Sequence, residues 1–335
     1  MVSREALIES AQKTTTFFPS GSTLLDLVLG GGWACSRVFN LVGDSGSGKT
    51  LLAVEAFINF KRTFPKCKMR YVEPESRFNE ELAAILGFPK EVERPDEQID
   101  TVEDFQFDFN QFLKEDGDTH RLYILDSLDS LSDREELERF GALKKMGDEE
   151  SGSYGTGKAK KMSALFRMLS RDIENTNCTL GVISQLRDNI GVTYGESSTR
   201  SGGRALNFYS SQIIWLREIE KIKHTAYGET RPTGVKVGCR NKKNSCGMPF
   251  REAEFEILFQ YGVDDASSML SWLKSREAYE KEMFQEMSKR LDTARKQQDY
   301  AALDEIEAVL RQDTRLHWQK IEDKLRKDTQ IKKYR

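Results

Sequence analysis

The sequence has little that would staple, anchor or metallate it. Its 335 residues hold five cysteines, Cys35, Cys67, Cys178, Cys239 and Cys246, scattered and without a C-x-x-C pair. That excludes a disulfide framework and a cysteine zinc site, and it points to a reducing, cytoplasmic compartment. Three histidines, His120, His224 and His317, have no ligand-spaced partner. No run approaches the ~20 apolar residues that span a bilayer, and no signal-peptide pattern opens the chain, so no membrane role is expected. Neither sign of charge dominates: the net charge is −3, and any polyanion would have to be met by local patches rather than a global field. An apolar content of 38% and a charged content of 31% predict an ordinary soluble protein, and the length predicts about two domains.

Glycine and proline disappear after Ser267, and the character of the chain changes there. Before that point, from about Phe18 to Tyr261, short apolar runs alternate with helical patterns, the signature of a parallel α/β sheet. Strands are predicted at Val38–Val42, Met69–Glu73, Leu122–Leu125, Thr179–Ser184, Gln212–Leu216, Val235–Arg240 and Glu254–Phe259. Helices are predicted at Leu51–Arg62, Asn79–Leu86, Val102–Glu115 and Lys158–Glu174. Beyond it, Met283, Met287, Leu291 and Ala294 fall on one helical face, Leu303, Ile306 and Leu310 on another, and Leu316, Ile321 and Leu325 on a third. These predict two or three amphipathic helices with a turn near Gln298–Asp299. The division expected is a short segment over 1–17, a core over 18–265 and a charged helical extension over 266–335. The last stretch, Lys320–Arg335, carries seven basic against three acidic residues, the composition of a solvated helix face and tail.

The chemistry begins at Gly43-Asp44-Ser45-Gly46-Ser47-Gly48-Lys49-Thr50, a G-x-x-x-x-G-K-T loop between an apolar strand and an apolar helix. Glycines let successive backbone N–H groups turn inward onto phosphate oxygens, beside the positive end of the next helix. Lys49 is placed to reach the β- and γ-phosphates and Thr50 to put its hydroxyl on Mg²⁺, so ATP and Mg²⁺ are the expected ligands. A second strand, Tyr123-Ile124-Leu125, ends in Asp126, the expected second carboxylate of the metal site. A third runs into Glu73-Pro74-Glu75, where a carboxylate at the strand end can orient and partly deprotonate a water. Glu75 is the first choice there and Glu73 the alternative. Val182-Ile183-Ser184 ends in Gln185, placed to hydrogen-bond the γ-phosphate.

Two segments fit neither period and read as functional loops, near 144–161 and 187–203. The first holds Lys144, Lys145, Tyr154, Lys158, Lys160 and Lys161, with Ser163 and Arg167 one turn on. The second holds Arg187, Tyr194, Arg200 and, at its end, Gly202, Gly203 and Arg204. Cations neutralise phosphates, aromatics stack on bases, and glycines let the backbone approach a strand, which predicts sequence-tolerant binding of single-stranded DNA.

The order of these elements resembles the RecA-type recombinases. The resemblance runs through Phe18-Pro19-Ser20-Gly21-Ser22, Gly30-Gly31-Gly32, the phosphate loop, Glu75, Asp126 and Gln185. It is tightest at Gly191-Val192-Thr193-Tyr194-Gly195 and Gly202-Gly203-Arg204-Ala205-Leu206-Asn207-Phe208-Tyr209, and it ends with Arg240-Asn241-Lys242, Pro249-Phe250 and Ala253–Leu258. It implies a RecA-type P-loop ATPase core with a mostly parallel central β-sheet flanked by helices, here followed by an α-helical C-terminal extension. It also implies that Glu75 activates water, that Gln185 couples the γ-phosphate to the DNA loop, and that Arg240 and Lys242 reach the nucleotide of an adjacent subunit. A homo-oligomer with ATP at the subunit interface follows, acting on single-stranded DNA and on duplex DNA during pairing.

The chain departs from the family pattern in four places. Residues 1–17 offer only Ala6-Leu7-Ile8 as a docking segment. Asn79 and Leu82 stand at the base-binding position, where the family has a stacking aromatic. Asn207 replaces a basic residue, and the helical tail differs from the family's compact C-terminal domain. The function implied is a DNA-dependent ATPase that promotes homologous pairing and strand exchange, of a kind that suits a phage- or virus-encoded protein in a bacterial cell. The alternatives are a recombination mediator that binds ATP and DNA without exchanging strands, and a hexameric helicase motor on the same core.

Overall fold

The computed structural model describes residues 15–75, 78–114, 119–135, 137–138, 156–188, 198–200 and 203–329. A two-stranded entry, β1 (Phe17–Phe18) and β2 (Trp33–Ala34), brackets α1 (Thr23–Leu29). The core then runs β3 (Val38–Gly43), α2 (Lys49–Thr63), β4 (Lys68–Val72), α3 (Glu80–Ile85), α4 (Val102–Lys114), β5 (Arg121–Leu125), α5 (Thr156–Asn175) and β6 (Cys178–Asp188). After it come β7 (Ser198–Arg200), α6 (Gly203–Tyr209), β8 (Gln212–Ala226), β9 (Glu229–Asn244), β10 (Glu252–Leu258) and β11 (Gly262–Asp264). Three helices close the described chain: α7 (Asp265–Ser275), α8 (Lys281–Gln297) and α9 (Tyr300–Thr329).

The main sheet has the order β11-β10-β9-β8-β3-β6-β5-β4, with β7 paired to β6. Strands β8, β3, β6, β5 and β4 run parallel. The sheet is mostly parallel, as expected, and its remaining strands β9, β10 and β11 are joined antiparallel. A two-residue turn, Tyr227-Gly228, returns β8 into β9, and both residues have positive φ, 52° and 80°. Tight return is open to antiparallel neighbours only, since parallel strands need a crossover.

Alternation along the strands divides the core between two faces. Phe39, Leu41, Tyr71, Leu122, Ile124, Ile214 and Leu216 pack against α1, α2 and α7. Val38, Val72, Tyr123, Leu125, Leu180 and Val182 pack against α4, α5 and Leu206 of α6. Each fully buried aromatic such as Phe57 or Phe105 contributes about 1.5–3 kcal/mol through removal from water.

The tail belongs to the first of these cores. Met287, Leu291 and Ala294 of α8 and Ile306 and Leu310 of α9 are buried in the same cluster as the sheet and α7. The turn between α8 and α9 is made by Gln298 in the left-handed region, φ 54°, and by Asp299, whose Oδ1 accepts from the Ala302 N–H at 3.0 Å. Three expected tail contacts differ: Met283, Leu316 and Leu325 are exposed, whereas Thr314 is buried and Trp318 packs on the cluster. Charged pairs reinforce the seam. Arg295 Nη2 meets Asp264 at 2.6 Å, Arg311 Nε donates to Thr23 Oγ1 at 3.2 Å, and Arg251 grips Glu322 through both carboxylate oxygens.

Beneath this seam lies Asp26, whose Oδ1 accepts the Ser20 N–H at 2.8 Å. Burial pushes its carboxyl up to about 7 from 3.8; the Ser20 contacts and Arg315 oppose the shift, and nearby Asp265 adds to it. A carboxyl with a raised folded pKa binds its proton more tightly when folded, so its share of stability is full below about pH 4 and falls away as pH rises through about 7. Asp26→Asn keeps the acceptor and removes the titration. Its denaturation free energy, measured from pH 4 to 8, should fall less steeply than the wild type's, with a difference on the order of 4 kcal/mol at most.

Candidate nucleotide site

The phosphate loop grows out of β3 at the centre of the sheet. Gly43 pairs with Gln185 of β6 on one side and Leu216 of β8 on the other. A Cβ at Gly43 would lie 2.6 Å from Ser47 Oγ and 2.7 Å from the Leu216 carbonyl, so only glycine lets the loop fold back here. Gly48 begins α2 from the left-handed region, φ 86°, and a Cβ there would meet Ile257 at 2.4 Å. Ser47 Oγ donates to the Asp44 carbonyl at 2.8 Å, and Lys49 Nζ donates to the same carbonyl at 2.6 Å. The lysine is thus folded back onto the loop, whose N–H groups at the start of α2 are of the kind that can receive an anion.

Burial lowers the Lys49 ammonium pKa, while the carboxylates of Asp126, Asp44, Asp129 and Glu75 act to raise it. Thr50 Oγ1 donates to Asp126 Oδ2 at 2.7 Å, and Tyr71 Oη donates to the same oxygen at 2.8 Å. Burial raises the Asp126 pKa; both hydroxyl donors and Lys49 act to lower it, and Glu75 adds to the rise. A hydroxyl and a carboxylate side by side are the hard oxygen donors Mg²⁺ takes together with phosphate oxygens and water. Thr50 and Asp126 therefore fit the metal, which when bound would neutralise phosphate charge.

Glu75 and Gln185 meet directly. Glu75 Oε1 accepts from Ser127 Oγ at 3.0 Å, Ser130 Oγ at 2.6 Å and Gln185 Nε2 at 3.3 Å. The Gln185 N–H donates to Asp129 Oδ2 at 2.7 Å. Glu73 instead lines a cavity of about 410 Å³ with Tyr71, Phe78, Glu80 and Arg94. Ser127, Asp129, Ser130 and Tyr71 are site residues that motif reasoning missed. The only local signal was the polar run Asp126-Ser127-Leu128-Asp129-Ser130 after a buried strand.

The RecA N-terminal domain model matches residues 3–264. The chain belongs to the RecA family. It is 33% identical over 256 residues to the RecA protein of Prochlorococcus marinus strain MIT 9303, covering 76% of this chain and 62% of that one. RecA of strain NATL1A is 32% identical over 254 residues, covering 75% and 62%. RecA of strain AS9601 is 33% identical over 254 residues, covering 75% and 64%. The chain thus spans a little over three fifths of the length of these curated relatives.

The remaining expectations map onto this RecA-family core unevenly. Asn79 caps α3, its Oδ1 accepting from the Leu82 N–H at 2.9 Å, and Leu82 is half-buried. Arg240 and Lys242 sit two residues apart on β9. Arg240 is 58% exposed with Nε 4.0 Å from Glu252, and Lys242 Nζ lies 4.3 Å from the Trp215 ring centre. Strand β6 continues past Gln185 to Asp188 and pairs with β7, Leu186 opposite Arg200 and Arg187 opposite Thr199. The stem of the second loop therefore stands at the phosphate end of the sheet. Gly203 and Arg204 open α6, and Ser163 and Arg167 ride on α5, half-buried and exposed respectively.

Lys161 does not offer the free cation expected of it, since it meets Glu103 at 2.7 Å, Glu135 at 3.3 Å and Asp133 at 3.6 Å. Tyr154, Tyr194 and Gly202 lie outside the described residues, as do the side chains of Lys160, Arg187, Arg200 and Arg204. None of the helices among the described residues is long and apolar enough to cross a membrane.

The Tyr71 hydroxyl is testable without nucleotide. Tyr71→Phe removes one of the donors holding a buried carboxylate, so chemical denaturation of the metal-free protein should show a loss of about 1.5–3 kcal/mol. A stability equal to wild type would show that the contact does not restrain Asp126.

Proposed function

We propose that this chain is an ATP-dependent, single-stranded-DNA-binding recombinase that promotes homologous pairing and strand exchange. The observation that carries the reading is the 3.3 Å contact between Gln185 and Glu75, two residues before the start of the segment read as DNA-binding. In this reading the Gly43–Thr50 loop and Lys49 hold the triphosphate. Thr50 and Asp126 hold Mg²⁺, and Glu75 takes the proton of the attacking water. Gln185 exchanges its contact with Glu75 for the γ-phosphate, and the hairpin stem of β6 and β7 carries that change to the loop. Hydrolysis reverses it and lets DNA go.

Arg240 and Lys242 stand on the antiparallel side of the sheet, exposed or stacked on Trp215, and would be offered to the nucleotide of a neighbouring copy. This supports assembly of copies along DNA with ATP between them. The match to the RecA N-terminal domain model over 3–264 supports the reading at the level of the family. The Leu186–Arg200 and Arg187–Thr199 pairs support the placement of the loop beside the phosphates.

The test is hydrolysis with and without single-stranded DNA. Wild-type hydrolysis should rise on adding DNA; Lys49→Ala should abolish it, and Glu75→Gln should lower it by about 10²–10⁴-fold while keeping ATP-stabilised DNA binding. Normal DNA-stimulated hydrolysis by Glu75→Gln would remove Glu75 from the mechanism. Hydrolysis indifferent to DNA would sink the recombinase reading.

A further inference from the structure

We propose that the short helical turn Leu128–Ser130 is a clasp that makes the water-activating carboxylate and the loop-bearing strand move together, with Asp129 and Ser130 as positioning residues. The proposal rests on the roles given above to Glu75 and Gln185. The turn is anchored by Leu128, which is fully buried against the α4 and α5 side of the sheet. From that anchor two consecutive side chains reach different elements. Asp129 Oδ2 takes the backbone N–H of Gln185 at 2.7 Å, and Ser130 Oγ donates to Glu75 Oε1 at 2.6 Å. Ser127 Oγ lies 3.0 Å from Ser130 Oγ and donates to the same Glu75 oxygen, so the serine pair acts as one grip.

The Gln185 side chain completes the circuit through its own 3.3 Å contact to Glu75. Glu75 and Gln185 are 110 residues apart in sequence, and the turn joins them through both the backbone and the side chain of the glutamine. Hydrogen bonds to carboxylates are the stronger kind, and members of a closed network are displaced together. Without the clasp, the side-chain contact alone would let Gln185 swing to a phosphate while β6 stayed in place. With it, a shift at Gln185 must pull its N–H away from the Asp129 carboxylate or drag the turn, and through Ser130 the Glu75 carboxylate follows. Coupling then takes the form of two arrangements of one ring, whose populations nucleotide and DNA both bias.

The direct readout is the exchange rate of the Gln185 amide hydrogen in the full chain, with and without Mg²⁺ and a non-hydrolysable ATP analogue. In the wild type the analogue should change that rate by about fivefold or more. Ser130→Ala leaves the Asp129 contact in place, yet it should reduce the response to less than about twofold; Asp129→Ala should do the same. Asp129→Asn retains an acceptor oxygen and should keep the wild-type response, which separates positioning from misfolding. A wild-type-sized response in both alanine variants would overturn the clasp, as would a wild-type amide indifferent to the analogue. Because this measurement uses no DNA, a failure of DNA to stimulate hydrolysis would count against the proposed function and leave the clasp to be judged on the amide alone.

Discussion

The arrangement depends on one backbone register: Gly43 of β3 lies opposite Gln185 of β6. Parallel pairing of adjacent strands forces the first residue of the phosphate loop and the first residue of the loop-bearing extension to the same end of the sheet. Strand β5 on the other side of β6 leads into Asp126, and β4 beyond it leads to Glu75. Four chemically different groups therefore converge because four parallel strands end together. A slip of one residue in β6 would turn Gln185 to the opposite face and break its contact with Glu75. The rest of the fold holds that register: two apolar layers clamp the sheet, and buried side chains such as Asn40, which donates to the Val182 carbonyl and Ser184 Oγ, tie β3 to β6.

The helical tail adds a second constraint. It is a buttress on the α1 and α7 side rather than an appendage, sharing its apolar seam with the sheet. Its arginines meet carboxylates on α7 and at the end of β11, where burial raises the Asp265 pKa. Buried acids of this kind are costly, and Arg295 and Arg311 bring the opposite charge to them from the tail.

What was legible in the sequence was what is local. The phosphate loop, the strand into Asp126 and the strand into Gln185 each carry their signal within a few residues, and the fold brings all three to one end of the sheet. Helical periodicity foresaw the turn at Gln298 and the inward face of α8, yet it also grouped Leu316 and Leu325 with Ile321, and of these three only Ile321 packs on the cluster while Leu316 and Leu325 are exposed. The antiparallel β9–β11 extension was not legible, because alternation along a strand is the same whichever way its neighbour runs. Two-residue strands such as β1 and β2 are too short to show a period at all. Tyr71 falls inside the predicted strand Met69–Glu73 with no local mark of a role, and its hydroxyl matters only because β5 sets Asp126 beside it. Asp129, Ser130 and the three carboxylates around Lys161 were missed for the same reason, since their partners are distant in sequence.

The central claim is that Gln185 carries the state of the nucleotide to the DNA-binding segment through Glu75 and β6. The measurement that tests it most directly is the affinity for a single-stranded oligonucleotide with a non-hydrolysable ATP analogue against that with ADP, compared between wild type and Gln185→Ala. The account predicts that wild type binds about tenfold or more tightly in the ATP-like state and that Gln185→Ala binds equally in both. A Gln185→Ala protein that keeps the full nucleotide-dependent difference would contradict it.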